Sequence, residues 1–418
     1  MEEIMITFLK NEADRCLMCK NPRCKQHCPI STPIPEVIAL YKEGKIKEAG
    51  EMLFKNNPLS LICSIVCPHE EQCKGNCIRG IKGEPVHFYE IEKEISTEFL
   101  EKAEIIVENK LKDRIAIIGG GPAGITIAFV LATKGYKVTI FDSHEKIGGV
   151  LRYGIPEFRL PRTIIDELEN KLIQVGVKIR PNTLIGPVVT LDKLFEDGYR
   201  AAFIGTGVWN PRTLDIKGET LGNSHYAIDY LKSPSVYRLG TKVCVIGAGN
   251  VAMDAARTAK QNGAKEVYVL YRKGVEDMPA TKVEIEEAKA DGIEFKLYKA
   301  PLEITEEGVR YIETKKVVLE DGRVDLVSIE GSENIFECDS VIIAISQLPK
   351  NNIVNNTKGL ETNKSGLLLA DHTGHTTRNG VFASGDVVTG AKTVVQAVAD
   401  AKNVAEAIDE YCNKLRAL

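Results

Sequence analysis

Two four-residue apolar runs, Ile115–Ile118 and Val243–Ile246, each end on a glycine-rich turn that leads into a helical stretch and a second apolar strand. Runs of that length suit strands buried on both faces, as in parallel sheets covered by helices. The first unit passes through Gly119-Gly120-Gly121-Pro122-Ala123-Gly124 and the helical run Ile125–Thr133 to Gly135, then Val138–Phe141, closing on Asp142. The second passes through Gly247-Ala248-Gly249-Asn250-Val251-Ala252, a helix reaching Thr258, and the strand Val267–Tyr271. Two such units place the chain in the α/β class.

A strand, a G-x-G-x-x-G turn and a helix in this order make a dinucleotide-binding loop. Gly119 makes the turn, Gly121 lets a pyrophosphate approach the backbone, and Gly124 permits close packing of helix on strand. The helix N-terminus holds phosphate charge, and Asp142 at the end of the second strand is placed to accept from a ribose hydroxyl. In the second unit that position holds Arg272-Lys273 instead. An acid there favours a free 2′-hydroxyl, whereas a basic pair favours a 2′-phosphate, so this unit points to NADPH rather than NADH. A solvated basic turn is the plainer reading of the pair.

Late in the chain, Val381-Phe382-Ala383-Ser384-Gly385-Asp386 reads as another strand entering a turn, and it needs a sheet to join. The second unit is therefore expected to be inserted into the first. Asp386 is placed for a polar contact to a bound cofactor. The helical run Thr393–Tyr411 begins beside it and would aim its N-terminus at a flavin ring's electron-rich edge.

Ahead of both units, eight of the eleven cysteines lie between Cys16 and Cys77 in two quartets. The first is C-x2-C-x4-C-x3-C-P (Cys16, Cys19, Cys24, Cys28, Pro29) and the second C-x3-C-P-x4-C-x3-C (Cys63, Cys67, Pro68, Cys73, Cys77). Thiolates so spaced can close on one metal centre, and a proline directly after a ligand cysteine marks ferredoxin-type runs. Zinc takes similar spacings, and disulfides need an oxidising compartment. Met1–Lys10 is acidic with only a short apolar run, Ile4–Leu9, unlike an export signal. Iron–sulfur is favoured over zinc because zinc carries no electrons and the loops that follow belong to redox machinery. A zinc-stapled nucleotide-binding regulator without turnover is the rival from another class.

Around the quartets the chain reads as helical. Ile34–Leu53 sets Val37, Ile38, Tyr41, Ile46, Ala49 and Leu53 at helical spacing behind Pro33 and Pro35, and Glu84–Lys102 aligns Ile91, Ile95, Phe99 and Leu100. The charged stretch Glu108–Asp113 reads as a linker. At 418 residues, 44% hydrophobic and 27% charged, the chain has the makings of a soluble protein of two or three domains. A net charge of −4 and 6% aromatic residues leave no basic field or stacking surface for nucleic acid. No stretch reaches the length of a membrane span, so a cytoplasmic protein with neither nucleic acid nor membrane as partner is expected.

The run Gly148-Gly149-Val150-Leu151-Arg152-Tyr153-Gly154-Ile155-Pro156-Glu157-Phe158-Arg159-Leu160-Pro161 closely resembles one in the small, NADPH-oxidising subunit of bacterial glutamate synthase and its relatives. Gly205-Thr206-Gly207, the segment Tyr271–Ala280 with Met278-Pro279-Ala280, and Gly385-Asp386 leading to Thr393-Val394-Val395 share the resemblance. It extends over essentially the whole chain, both quartets included. The large subunit of NADH-dependent ferredoxin:NADP oxidoreductase and the electron-input part of dihydropyrimidine dehydrogenase belong to the same group.

The resemblance implies two nested Rossmann-like domains, for FAD and NADPH, preceded by an α-helical domain with two [4Fe–4S] clusters. The expected boundaries are 1–110 for the cluster domain, 111–237 with 346–418 for FAD, and 238–345 for NADPH. FAD would be held by Gly119, Gly121, Pro122, Ala123, Gly124, Asp142, Gly149, Arg152, Gly154, Gly207, Gly385, Asp386, Thr393 and Val394. NADPH would be held by Gly247, Gly249, Asn250, Val251, Arg272 and Lys273. The resemblance also implies crossed ligation: Cys16, Cys19, Cys24 and Cys77 on one cluster, and Cys28, Cys67 and Cys73 on the other. Glu92 or Cys63 would supply the last ligand, Glu92 being favoured by the glutamate synthase pattern. A solvated helix face is the plainer reading of Glu92.

The expected activity passes a hydride between NADPH and FAD and single electrons between FAD and the clusters, so no side-chain acid or base is required of it. Cys244 sits in an apolar strand and Cys338 and Cys412 read as isolated, so no disulfide-reductase outlet is expected. The pair His372 and His375 lies in a glycine-bearing loop and reads as surface. Electrons would pass to a protein acceptor subunit or a ferredoxin-like carrier.

Overall fold

Proline and glycine punctuate the N-terminal helices. In a computed structural model, which describes residues 2–108, 113–319 and 323–417 and side chains from residue 7 onward, the long apolar run after Pro33 forms two helices rather than one. Ile34–Lys42 stops where Gly44 takes φ +73, and Ile46–Asn56 resumes after it. Pro35 is tolerated in the first turn of the former, where an amide would lack a partner in any case. The later helix begins at Phe88 rather than Glu84 and ends at Lys102, since Pro85 disfavours helical backbone at the residue before it. With Glu2–Asp14 and Ser60–Val66 these helices enclose Leu9, Val37, Ile38, Leu53, Ile91 and Ile95. Most of the expected linker at Glu108–Asp113 lies outside the described residues.

The first sheet has five parallel strands in the order Val381–Ala383, Tyr199–Ile204, Arg114–Ile118, Lys137–Phe141 and Lys178–Arg180. The late strand thus finds the sheet it needed, beside Tyr199–Ile204. Helix Pro122–Thr133 follows the first strand and is buried on almost every side, which explains its nearly unbroken apolar sequence. The last helix, Val394–Ala417, packs along it. Phe129 meets Phe54 edge-on at 5.2 Å between ring centroids and ties this layer to the N-terminal helices. Lys171 Nζ adds a hydrogen bond to the Ala103 carbonyl at 3.0 Å.

The second sheet is also parallel, in the order Ser224–Tyr226, Ser340–Ile343, Lys242–Ile246, Glu266–Leu270 and Glu294–Lys296. Helix Asn250–Gln261 follows its central strand with Ala252, Met253, Ala255, Ala256 and Ala259 turned inward. An antiparallel sheet of Lys299–Thr305, Gly308–Val318, Val324–Ser328 and Asn334–Glu337 lies between Glu294–Lys296 and Ser340–Ile343 in the chain.

Two compact units result: Met1–Leu151 with Glu157–Val208 and Pro349–Leu418, and Arg152–Pro156 with Trp209–Leu348. Strand Ser224–Tyr226 precedes the expected domain start at 238 yet pairs on the second sheet. Among the described residues no helix is long and apolar enough to cross a membrane.

Candidate functional site

The first glycine turn is built against a second glycine pair. Gly119 takes φ +100, and a Cβ on it would lie 2.6 Å from the Gly205 carbonyl oxygen. A Cβ on Gly124 would lie 2.0 Å from the Gly119 carbonyl oxygen, so helix and turn leave no room for a side chain there. The Gly148 amide donates to the Gly120 carbonyl at 2.7 Å, and a Cβ on Gly149, at φ +51, would sit 2.8 Å from Gly121 Cα. Two stretches of bare backbone therefore meet at the N-terminus of Pro122–Thr133, where peptide dipoles favour an anion.

Asp142 holds this turn in shape. Its Oδ2 accepts from the Gly120 amide at 2.7 Å and its Oδ1 from the His144 amide at 2.8 Å. Gly385, at φ +74, brings its Cα close to Ala123, where an added Cβ would be 3.5 Å from Ala123 Cβ. Asp386 Oδ1 accepts from the Lys392 amide at 3.2 Å, and Thr393 Oγ1 accepts from the Gln396 amide at 3.3 Å at the start of the last helix. Burial pushes the Asp386 carboxyl up to about 6, with the Lys392 amide opposing. The Ser384 hydroxyl beside them is buried without a hydrogen-bonding partner among the described residues. An open glycine cradle, a helix N-terminus and an orphaned hydroxyl fit a dinucleotide such as FAD. Gly207, at φ +66, follows the strand Tyr199–Ile204; Val394 begins the last helix.

In the second unit Arg152 is buried and Gly154 ends the short helix Val150–Tyr153. The turn after Lys242–Ile246 repeats the plan of the first, where a Cβ on Gly121 would meet only Gly149 Cα, at 3.9 Å. Gly247, at φ +128, is locked, since a Cβ would lie 2.2 Å from the Ala344 carbonyl oxygen, but a Cβ on Gly249 would meet nothing within 4 Å. Open space over the second glycine is what a pyrophosphate requires. Asn250 starts the helix and its Oδ1 accepts from the Thr281 amide at 3.1 Å; Val251 follows it. The Ala280 amide donates to the Ala248 carbonyl at 3.1 Å, so the Met278-Pro279-Ala280 segment buttresses the loop. Arg272 and Lys273 follow strand Glu266–Leu270 without an ion pair among the described residues. This donor set fits a phosphorylated ribose.

The cysteines interleave. Cys16, Cys19, Cys24 and Cys77 line one cavity with Cys73, walled by Leu17, Ile34, Ile38, Val86 and Phe88. Burial raises the Cys16 thiol, the Met18 amide opposes, and Cys19 and Cys77 raise it further. Cys24 is pushed up to about 11 by burial, with Cys77, Cys16 and Cys19 adding to the rise. The Val86 amide reaches Cys77 Sγ at 3.5 Å. Four thiols gathered in one cavity with largely apolar walls, three of them with an amide donor at the sulfur, fit a cluster that needs thiolates.

Cys28, Cys67 and Cys73 gather next to that cavity. Burial raises Cys73, and Glu92 and Cys28 raise it further. Cys67 is raised by its hydrogen bond to Cys63, then by burial, with Glu92 and Cys73 adding. Glu92 is buried, not solvated, and burial followed by Cys63 holds its carboxyl well above the usual range. Among the described residues no three His, Cys, Asp or Glu groups converge as a single-ion site. Ligands on separate irons of a cube stand wider apart than the four around one zinc. All eleven cysteines are free thiols. His375 is exposed, bonded to Thr373 Oγ1 at 2.8 Å.

Two features had no signal in the linear sequence. Cys244 and Cys338, read as separate, share a hydrogen bond inside the second unit. Lys402, on the last helix, donates to the Asn56 carbonyl at 2.6 Å and feels the charge of Cys28, so the helix that starts at Val394 passes the second thiol group.

A family model described as pyridine nucleotide-disulphide oxidoreductase matches residues 76–196 and 113–401. Another, described as dihydropyrimidine dehydrogenase domain II, 4Fe-4S cluster, matches residues 3–104. The glutamate synthase (NADPH) small chain of Escherichia coli strain K12 is 33% identical over 96% of this chain and 90% of that protein. That of Azospirillum brasilense is 34% identical over 96% and 88%. Among solved structures, Mycobacterium tuberculosis FprA in complex with NADPH aligns with a TM-score of 0.61 at 18% identity, covering 73% of this chain and 86% of that one. The fold is thus that of a dinucleotide-dependent flavoprotein joined to a 4Fe–4S domain.

Proposed function

This chain belongs to the glutamate synthase small-chain family of flavin- and iron–sulfur-dependent oxidoreductases, and on that premise we propose which residues carry its cofactors and where its electrons go. Gly119, Gly121, Pro122, Ala123, Gly124, Asp142, Gly149, Arg152, Gly154, Gly207, Gly385, Asp386, Thr393 and Val394 form the FAD site. Gly247, Gly249, Asn250, Val251, Arg272 and Lys273 form the NADPH site. Cys16, Cys19, Cys24 and Cys77 hold one [4Fe–4S] cluster, and Cys28, Cys67, Cys73 and Glu92 hold a second.

A flavin held there would supply hydride exchange with a nicotinamide and the release of electrons one at a time, as clusters require. The protein's share is placement. Asp142 keeps the Gly120 amide and its turn in position for the pyrophosphate. Asp386 and Thr393 organise the start of Val394–Ala417, whose dipole favours negative charge in front of it. Arg272 and Lys273 offer charge-assisted hydrogen bonds to a 2′-phosphate. The largely apolar walls around the thiols lower the local polarity, which with the Val86 amide would tune a cluster's potential. Electrons then leave for a protein acceptor subunit or a ferredoxin-like carrier, a reading supported by relatives that are themselves named small chains.

The observation that carries this reading is Cys77 of the second quartet standing among Cys16, Cys19 and Cys24 of the first. The test is anaerobic stopped-flow mixing of reconstituted protein with NADPH and, separately, NADH, alongside iron and sulfide analysis. Fast flavin bleaching by NADPH, slower loss of the broad cluster absorbance, and about eight irons per chain are expected. A colourless zinc protein, or bleaching by NADH alone, would overturn it.

A further inference from the structure

The two loops carrying the first cluster's cysteines are basic in an acidic chain. Residues 15–35 contain Arg15, Lys20, Arg23 and Lys25 and no acid; residues 72–83 contain Lys74, Arg79 and Lys82 and no acid, while the whole chain carries −4. Three of these seven bases are spoken for within the fold: Arg15 pairs with Glu12, Lys25 with Glu36 at 3.3 Å, and Lys74 with Glu70 at 3.0 Å. Lys20, Arg23, Arg79 and Lys82 make no ion pair among the described residues and are solvent-exposed. Arg23 and Arg79 line the very cavity that Cys16, Cys19, Cys24 and Cys77 face.

Between these bases the surface is apolar. Leu17 is 54% exposed, Met18 43% and Ile81 62%, although each is large enough to be expected in a core. Leu17 and Met18 sit between Cys16 and Cys19, and Met18 is held out at φ +48, a conformation L-residues adopt reluctantly. Ile81 sits between Arg79 and Lys82. A small apolar centre with a charged rim is the pattern of a transient protein interface, and unsatisfied charge of one sign selects a partner of the other.

We propose that the face formed by Leu17, Met18 and Ile81 with Lys20, Arg23, Arg79 and Lys82 docks an acidic-surfaced redox protein directly over the first cluster. The inference rests on the cluster assignment above and adds to it the exit point and the partner's chemistry. One electron per cluster turnover crosses here; the cluster is oxidised and the partner's redox centre is reduced, with no proton or group transferred. The competing explanation is that the four bases merely offset the negative charge of the cluster and its thiolates. That role would be felt in the cluster's potential and would be indifferent to the surface charge of an acceptor.

The experiment uses the holoprotein reduced with dithionite, freed of reductant, and mixed in a stopped-flow instrument with native cytochrome c, which is basic, or succinylated cytochrome c, which is acidic. The haem is the same and only surface charge differs. The acidic form should be reduced several-fold faster at low ionic strength, with the advantage vanishing at high salt. The double variant K20E/K82E, at two exposed bases that do not line the cysteine cavity, should reverse the preference while leaving flavin bleaching by NADPH as it was. An unchanged preference in the variant overturns the proposal. So does a shift of cluster potential alone, seen by redox titration with electron paramagnetic resonance. Because dithionite supplies the electrons, a failure of NADPH to bleach the flavin would fall on the proposed function and not on the docking face.

Discussion

Glu92 and Cys63 face each other in the closed interior between helices Phe88–Lys102 and Ser60–Val66, one a carboxyl raised by its surroundings, the other a thiol bonded to Cys67. Each is within reach of the group formed by Cys28, Cys67 and Cys73, so two donors compete for one place. Cys63 already has company in Cys67 and Asn57, whereas Glu92 has no hydrogen bond or cation to balance it among the described residues. A buried acid without a partner is costly unless something cationic uses it. Glu92→Ala should therefore lose the second cluster, with iron falling from about eight to about four per chain, while Cys63→Ala keeps both. Iron and acid-labile sulfide analysis decides it, and the opposite pattern would make Cys63 the ligand.

The two glycines of the second turn should fail differently. Gly247→Ala puts a methyl 2.2 Å from the Ala344 carbonyl at a backbone angle of +128°, so the strand end must shift and the protein should melt earlier. Gly249→Ala meets nothing within 4 Å, so its thermal unfolding should match the parent. Its NADPH affinity should nonetheless fall at least tenfold, because the methyl occupies space the pyrophosphate needs. Calorimetric melting set beside NADPH titration separates the two effects.

Arg272 and Lys273 carry the choice of nicotinamide. Charge-assisted hydrogen bonds to a 2′-phosphate are each worth about 1.5–3 kcal/mol, or roughly a 10- to 100-fold preference. Arg272→Ala should raise KM for NADPH by about that factor and leave NADH nearly unaffected. Steady-state kinetics with both nucleotides checks it. An unchanged NADPH-to-NADH ratio would return the pair to being a solvated turn.

What could be read in advance follows from how far apart the determining residues lie. The strand, glycine turn and helix of each unit are contiguous, so turn strain, phosphate approach and packing are written into a single short stretch, as at Gly119, Gly121 and Gly124. The inserted topology was visible because Val381–Ala383 had no local partner. The break between Ile34–Lys42 and Ile46–Asn56 was missed because the apolar spacing carries on past Gly44, whose left-handed angle needs the fold to make it evident. The antiparallel sheet around Gly308–Val318 was missed too, since its strands alternate weakly and leave Val318 and Val324 exposed. Neither the burial of Glu92 nor the meeting of Cys244 with Cys338 has a local cause, because tertiary packing makes both.

Asp386 gives a pH prediction whose sign is fixed by burial. Its carboxyl titrates near 6 in the folded protein against 3.8 for the unperturbed group, because burial disfavours the anion more than the Lys392 amide supports it. A folded-state value above the unfolded one means the folded chain binds the extra proton between those limits. Stability therefore falls as pH rises from about 4 to about 6, and the deficit persists above that window. A shift of this size corresponds to on the order of 2 kcal/mol once residual solvent contact is allowed for. Asp386→Asn keeps an oxygen for the Lys392 amide and cannot ionise. In flavin-free protein it should melt at nearly the same temperature as the parent at pH 4 and several degrees higher at pH 7. Thermal melts of both proteins across that range provide the test. A constant difference at every pH would mean the carboxylate is better solvated than its place beside Gly385 implies, and that its charge costs the fold nothing.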